Sequence, residues 1–91
     1  MIDEPWALAG GVELRPEPFG ALAYNFTNRR LTFLKSTRLV DVVRGLAAAP
    51  DVRTALTRAE VPDREWPTYL EALGGLAETQ MIQHRSTRDD S

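Results

Sequence analysis

The chain has 91 residues, which fits a single domain and leaves little room for a deep enzyme pocket beside the core. It has no cysteine, and this excludes disulfides, thiolate catalysis, zinc fingers and iron–sulfur ligation. The net charge of −2 does not favour nucleic acid, and no apolar run approaches the roughly 20 residues that span a bilayer. The N-terminal segment lacks the basic flank of a signal peptide, so we expect a cytoplasmic protein without membrane contact.

Residues 1–11 are expected to form an N-terminal arm, because Gly10-Gly11 interrupts any continuing element. Val12 to Arg15 alternates apolar and polar residues, as a half-buried strand does. The following Pro16-Glu17-Pro18 predicts the end of this first strand at Arg15, since proline cannot donate a ladder hydrogen bond.

A second strand is predicted from Gly20 to Phe26, with small residues on one face where another element can approach closely. The next loop, residues 27–30, is typical of a hairpin, with Asn28 best suited to a positive φ. Leu31 to Lys35 forms the third predicted strand. It is apolar on both faces, which predicts that both of its faces are covered.

After Lys35 the apolar period becomes helical. Ser36 or Thr37 is expected to cap a first helix, and Pro50-Asp51 ends it and caps a second that runs to about Ala59. A third helix has an apolar stripe and tolerates a proline in its first turn. The stripe consists of Trp66, Tyr69, Leu70, Leu73, Leu76 and Ala77.

Two alternatives remain open for the third helix. Either it ends near Leu73, or it continues through Gly74-Gly75 and leaves a bare backbone that a partner can approach. Met81-Ile82 is expected to return to the sheet or the core, and residues 85–91 to form a disordered tail. The fold class is therefore α+β, with a three-stranded antiparallel sheet followed by three helices in a winged helix-turn-helix-like domain over residues 12–84.

The sequence predicts no enzyme, because no catalytic constellation can be assembled from it. His84 is the single histidine, so no histidine pair or Ser-His-Asp set exists. The carboxylates are scattered, and the glycine pairs do not form a phosphate loop. We therefore expect no catalytic residue, no metal and no cofactor.

Two elements are candidates for binding a peptide. If the strands pair in sequence order, Leu31–Lys35 lies at a sheet edge that an extended peptide can join as a further strand. The margin of the stripe formed by Trp66, Tyr69, Leu70 and Leu73 is expected to wall a groove beside it. Four bases near the strand ends, which favour an acidic peptide, are Arg29, Arg30, Lys35 and Arg38.

Other interpretations remain for these elements. The N-terminal arm or Met81-Ile82 covers the edge, or two copies of the chain pair through it when peptide is absent. A DNA-binding winged helix is disfavoured, because Arg64 is the single base between residues 63 and 79, which include several acids. A structural subunit that docks an enzyme without touching peptide is a third alternative.

The order of three strands and three helices resembles the small domains that recognise leader peptides of ribosomally made, modified peptides. The runs LRPEPFGALAYNF, RRLTFLK and LGGLAETQMI narrow this resemblance to the peptide-binding chaperones of mycofactocin biosynthesis, and the likeness covers roughly residues 6–84. The resemblance implies that the chain binds the leader of a short acidic precursor peptide and passes it to a radical S-adenosylmethionine maturase. It also implies that the leader joins Leu31–Lys35 as a strand and lies against the Trp66–Leu73 helix face.

Overall fold

The computed structural model describes residues 1–85. All of the predicted tail except its first residue, Arg85, therefore lies outside the described residues. Within these residues, short loops and two 3₁₀ turns, at Leu46–Ala48 and Asp63–Glu65, connect five strands and three helices. The strands are β1 (Trp6–Leu8), β2 (Val12–Glu17), β3 (Gly20–Asn25), β4 (Arg30–Leu34) and β5 (Ile82–His84). The helices are α1 (Thr37–Gly45), α2 (Val52–Arg58) and α3 (Trp66–Glu78). The predicted α+β class, with a three-stranded antiparallel sheet followed by three helices, is confirmed.

The main sheet is an antiparallel meander in the order β2-β3-β4. The prediction that the first strand ends at Arg15 is wrong, because β2 continues through Pro16 to Glu17. The N–H of Phe26 donates to the carbonyl of Gly11, so by alternation along the strand Pro16 turns its nitrogen away from β3. An edge strand tolerates a proline at such a position, since no ladder bond is lost.

The small-residue face of β3 packs on the helices, as predicted. Ala21 and Ala23 are buried, and their short side chains let α1 approach the sheet closely. Asn25 ends the same face and is 3% exposed. Gly20 begins the strand at a φ of +150°, where its backbone lies against the junction between β4 and α1. The small residues of β3 therefore form the sheet side of the contact with α1, while leucine, valine, methionine and isoleucine side chains fill the rest of the core.

Side-chain caps explain where α1 and α2 begin. Ser36 accepts a hydrogen bond from the N–H of Leu39 at 3.2 Å and starts α1, and Asp51 caps α2 through the N–H of Thr54 at 2.8 Å. Hydrogen bonding from the hydroxyl and from the N–H of Thr54 to the Asp51 carboxylate lowers the pKa of Asp51. Among residues 1–85 no helix is long and apolar enough to cross a membrane.

The third helix runs through Gly74-Gly75 to Glu78, so it continues and does not end near Leu73. Pro67 lies in its first turn, as predicted. The helix ends in a Schellman motif. Gln80 has a φ of 64°, and the N–H of Met81 donates to Leu76 across the last turn.

A second sheet joins the two ends of the domain, and the sequence pattern does not predict it. β1, which lies in the segment expected to be an arm, pairs antiparallel with β5, with Trp6 opposite His84. Met81 and Ile82 are buried, which confirms their return to the core. Arg85, where the predicted tail begins, donates from its guanidinium to the carbonyls of Trp6 and Ala49.

Candidate peptide-binding site

The strand β4 forms one edge of the main sheet, as the meander prediction requires. Its one strand partner among residues 1–85 is β3, and neither β1 nor β5 covers its other side. β4 runs from Arg30 to Leu34, so each of its ends lies one residue before the corresponding end of the predicted strand, Leu31–Lys35. The alternative in which the N-terminal arm or Met81-Ile82 covers this edge is thus wrong, and within residues 1–85 no strand pairs with the outer side of β4.

The backbone groups that face outward from β4 can be assigned from the hairpin. The carbonyl of Asn25 accepts from the N–H of Arg29, so Asn25 directs its backbone groups towards the β4 side. Backbone direction alternates along a strand, and in register Ala23 lies opposite Thr32. Thr32 therefore faces β3, whereas Leu31 and Phe33 present their N–H and C=O groups to the free side. These two residues carry the unpaired hydrogen-bonding groups of the edge.

The side chains of β4 divide between two environments. Leu34 is 1% exposed and belongs to the core, while Leu31 and Phe33 are each 54% exposed on the opposite face. The prediction that this strand is covered on both faces is therefore wrong. Apolar residues on both faces of a strand do not by themselves require two covering layers.

The helix α3 places the predicted aromatic stripe at different depths. Tyr69 and Leu70 are half-buried and reach the surface. Trp66 is also half-buried, and its indole N–H donates to the carbonyl of Val61 at 2.9 Å. Leu73 is fully buried, so it supports the helix from beneath.

A small apolar cavity lies where β4 passes into α1. Its volume is about 200 Å³, and it is lined by Ser36, Leu39, Thr68, Tyr69 and Ala72. Only Tyr69 of these residues belongs to the predicted site. Ala72 lies three residues after Tyr69 on the same helix face, so helical spacing would have indicated it. The cavity offers space for one apolar side chain next to the end of the free edge.

Two asparagines tie the β3–β4 hairpin to the C-terminal end of α3. The side-chain amide of Asn25 donates to the carbonyl of Gln80 at 2.8 Å. The amide of Asn28 donates to the carbonyl of Thr79 and to the side chain of Gln80. The predicted positive φ at Asn28 is wrong; Arg29 adopts it instead, while Asn28 accepts from the N–H of Arg30. The start of β4 is thereby held next to the end of α3.

The four predicted bases all lie on the surface. Arg30 is the first residue of β4, Arg29 and Lys35 flank the strand, and all three are exposed. Arg38 is exposed on α1 and donates to the carbonyl of Glu60 at 3.3 Å. Within residues 1–85 none of the four forms a salt bridge with a carboxylate. Their charge therefore remains free to act on a ligand, whereas the same part of the chain contains no cluster of three metal-binding side chains.

A free strand edge with a helix wall and surrounding bases is the arrangement of a peptide-binding module. The comparisons with known proteins agree with this class. Residues 5–83 match the family model described as the Peptide chaperone MftB family. The chain therefore belongs to the peptide chaperone MftB family.

Curated relatives bear the same name, Peptide chaperone MftB. The chain is 49% identical over 80 residues to the protein of Mycolicibacterium smegmatis, covering 88% of this chain and 78% of that protein. It is 50% identical over 80 residues to that of Mycobacterium ulcerans, covering 88% and 73%. For the Mycobacterium tuberculosis protein the identity is 46% over 85 residues, covering 93% and 78%. A peptide chaperone has a non-catalytic role, in agreement with the prediction of no enzyme. The search of solved structures gave no match.

Proposed function

We propose that the chain binds the leader segment of the mycofactocin precursor peptide as a strand added to β4 and presents it to a radical S-adenosylmethionine maturase. The free edge of β4 is the observation that carries the proposal. Leu31 and Phe33 offer the backbone groups of the edge, and side chains of the peptide that point towards the helices lie against Tyr69 and Leu70. Leu73 acts as the buried support of this wall.

The bases define the charge of the expected ligand. Arg29, Arg30 and Lys35 lie close to both ends of the edge, and Arg38 follows at the start of α1. An acidic peptide is attracted by this cluster, which raises its rate of association more than its final affinity. α3 itself exposes Glu71 and Glu78, so this helix repels DNA phosphates. This charge favours a peptide over a nucleic acid as the ligand.

The chemical benefit of such a chaperone is a raised local concentration. A protein that binds the leader and the maturase together converts their encounter into a tethered one, with effective concentrations on the order of millimolar for short linkers. A precursor that is disordered when free loses entropy as it orders on β4, and this cost of about 2–5 kcal/mol limits affinity and permits release. The chain itself supplies positioning and no redox chemistry.

The test is titration calorimetry, in which a synthetic leader peptide is titrated into the wild-type chain and into two variants of the chain with proline at neighbouring positions of β4. Phe33→Pro removes an outward N–H and leaves the ladder to β3 intact, so we expect a folded protein with at least about tenfold weaker binding. Thr32→Pro removes a ladder donor instead, and we expect it to destabilise the domain.

A charge reversal provides a second test of the proposal, with a matched control variant. Lys35→Glu is expected to slow association with the acidic leader, and the effect should shrink as salt increases. Arg44→Glu, an exposed position at the end of α1, is the control and should leave association unchanged. A leader that gives no heat with the wild-type chain and shifts no amide signals in residues 31–35 would contradict the proposal.

A further inference from the structure

The outer face of the main sheet, which points away from the helices, is apolar and uncovered among the described residues. Its large exposed side chains, between 44% and 60% accessible, are Phe19, Phe26, Leu31 and Phe33. At about 200 Å² for a full side chain, they expose roughly 400 Å² of apolar surface. This is close to the apolar share of the roughly 800 Å² that each partner buries in a standard interface.

The strand register arranges the centre of this outer face in two adjacent rows. One row contains Glu13, Tyr24 and Leu31, and the other contains Arg15, Leu22 and Phe33. Each row therefore begins with a charge on β2, and the two charges are opposite in sign. Beyond the rows, Phe26 contacts Tyr24 with ring centroids 4.7 Å apart, and Phe19 contacts Phe33 at 6.0 Å.

We propose that a second copy of the chain packs on this outer face, about a two-fold axis that crosses the strands between the two rows. Such a rotation exchanges the rows, so that Glu13 lies over Arg15 of the partner subunit. By the same exchange Leu31 lies over the partner's Phe33. Within the two rows every charge then meets its opposite, and every apolar group meets an apolar one.

The other two-fold arrangement of stacked sheets is disfavoured by the same rows. An axis parallel to the strands places β2 of one copy over β4 of the other. Glu13 and Arg15 would then be buried against Leu31 and Phe33 without partners, which is costly for charged groups. The row pattern thus selects both the second copy as occupant and the direction of the axis.

Sheet-on-sheet packing, with a separation of about 10 Å, leaves the edge of β4 accessible. The inference is thus independent of the proposed function, and it differs from the pairing of two copies through the strand edge. A dimer of this kind presents two free edges.

The test is sedimentation equilibrium of the full chain in a concentration series up to about 1 mM, the weak end of specific association. We expect a mass twice the 10.2 kDa of one chain at the upper end. Phe26→Asp, at a position that is 60% exposed and outside β4, should weaken dimerisation by about tenfold or more. Circular dichroism checks that this variant remains folded.

A charge swap tests the axis directly. Glu13→Arg and Arg15→Glu should each weaken dimerisation by about tenfold, because each places like charges face to face twice per dimer. The variant with both substitutions should recover wild-type association, since the pair is restored with reversed signs. A single-chain mass throughout the series overturns the proposal. So does a dimer unaffected by Phe26→Asp and by the single charge reversals, which indicates pairing through the strand edge.

Discussion

Gly20 is the position where a single methyl group is expected to be most damaging. It starts β3 at a φ of +150°, a backbone conformation that side chains rarely allow. A Cβ built there overlaps the carbonyl oxygen of Leu34 and lies 3.0 Å from the backbone nitrogen of Ser36. Both neighbours are backbone atoms, at the end of β4 and at the cap of α1. Relief therefore requires the strand or the helix to move.

The expected magnitude follows from two separate costs. A residue other than glycine in this conformation costs about 1–3 kcal/mol. Forcing a methyl group into filled space costs about 1–3 kcal/mol more. Gly20→Ala should therefore lower the free energy of unfolding by about 2–6 kcal/mol. Since the total for a domain is about 5–15 kcal/mol, this loss brings the chain close to unfolding.

Urea denaturation followed by circular dichroism measures this difference, and Gly74→Ala is the matched control. A Cβ at Gly74 meets nothing within 4 Å, and the residue lies inside α3. Alanine is the better helix former, so the control should gain up to about 1 kcal/mol. The reasoning is refuted if Gly20→Ala loses less than about 1 kcal/mol, or if both variants change stability in the same direction.

Two further predictions concern helix ends. Glu60 closes α2 with a φ of 62°, so Glu60→Gly should raise the free energy of unfolding by about 0.5 kcal/mol, and an unchanged urea midpoint would contradict this. The pKa of Asp51 is lowered from 3.8 by its hydrogen bonds from Thr54, so its stabilisation is present above the unfolded-state pKa and is lost as pH falls through the lower folded-state value. Asp51→Asn should therefore show a smaller loss of stability between pH 7 and about pH 2 than the wild type, and parallel pH curves would refute the assignment.

The sequence predicted the main sheet and the helices because their patterns are local. Small residues recur at every second position of β3, and the side chains of Ser36 and Asp51 cap the starts of α1 and α2. The predicted end of β2 before Pro16 is wrong, because whether a proline ends a strand depends on whether its nitrogen faces the paired strand or the open edge. That information lies in the pairing partner and not in the residue itself.

The candidate site was predictable to a similar extent. The free edge follows from the meander order, but the depth of each residue on α3 does not follow from a stripe. Tyr69 and Leu73 share the stripe, yet one reaches the surface and the other is fully buried. The asparagine contacts to the end of α3 join residues more than 50 positions apart, for which no local signal exists.

The pairing of β1 with β5 bears on the order in which the domain forms and opens. These two short strands close a loop that contains almost the whole chain, which is the most costly closure in terms of chain entropy. We expect the pair to form late in folding and to exchange its amide hydrogens earlier than the main sheet. Opening it detaches only the ends, because the asparagines of the hairpin still hold the end of α3. Fraying of the termini is therefore uncoupled from the β4 edge, which is the proposed peptide site.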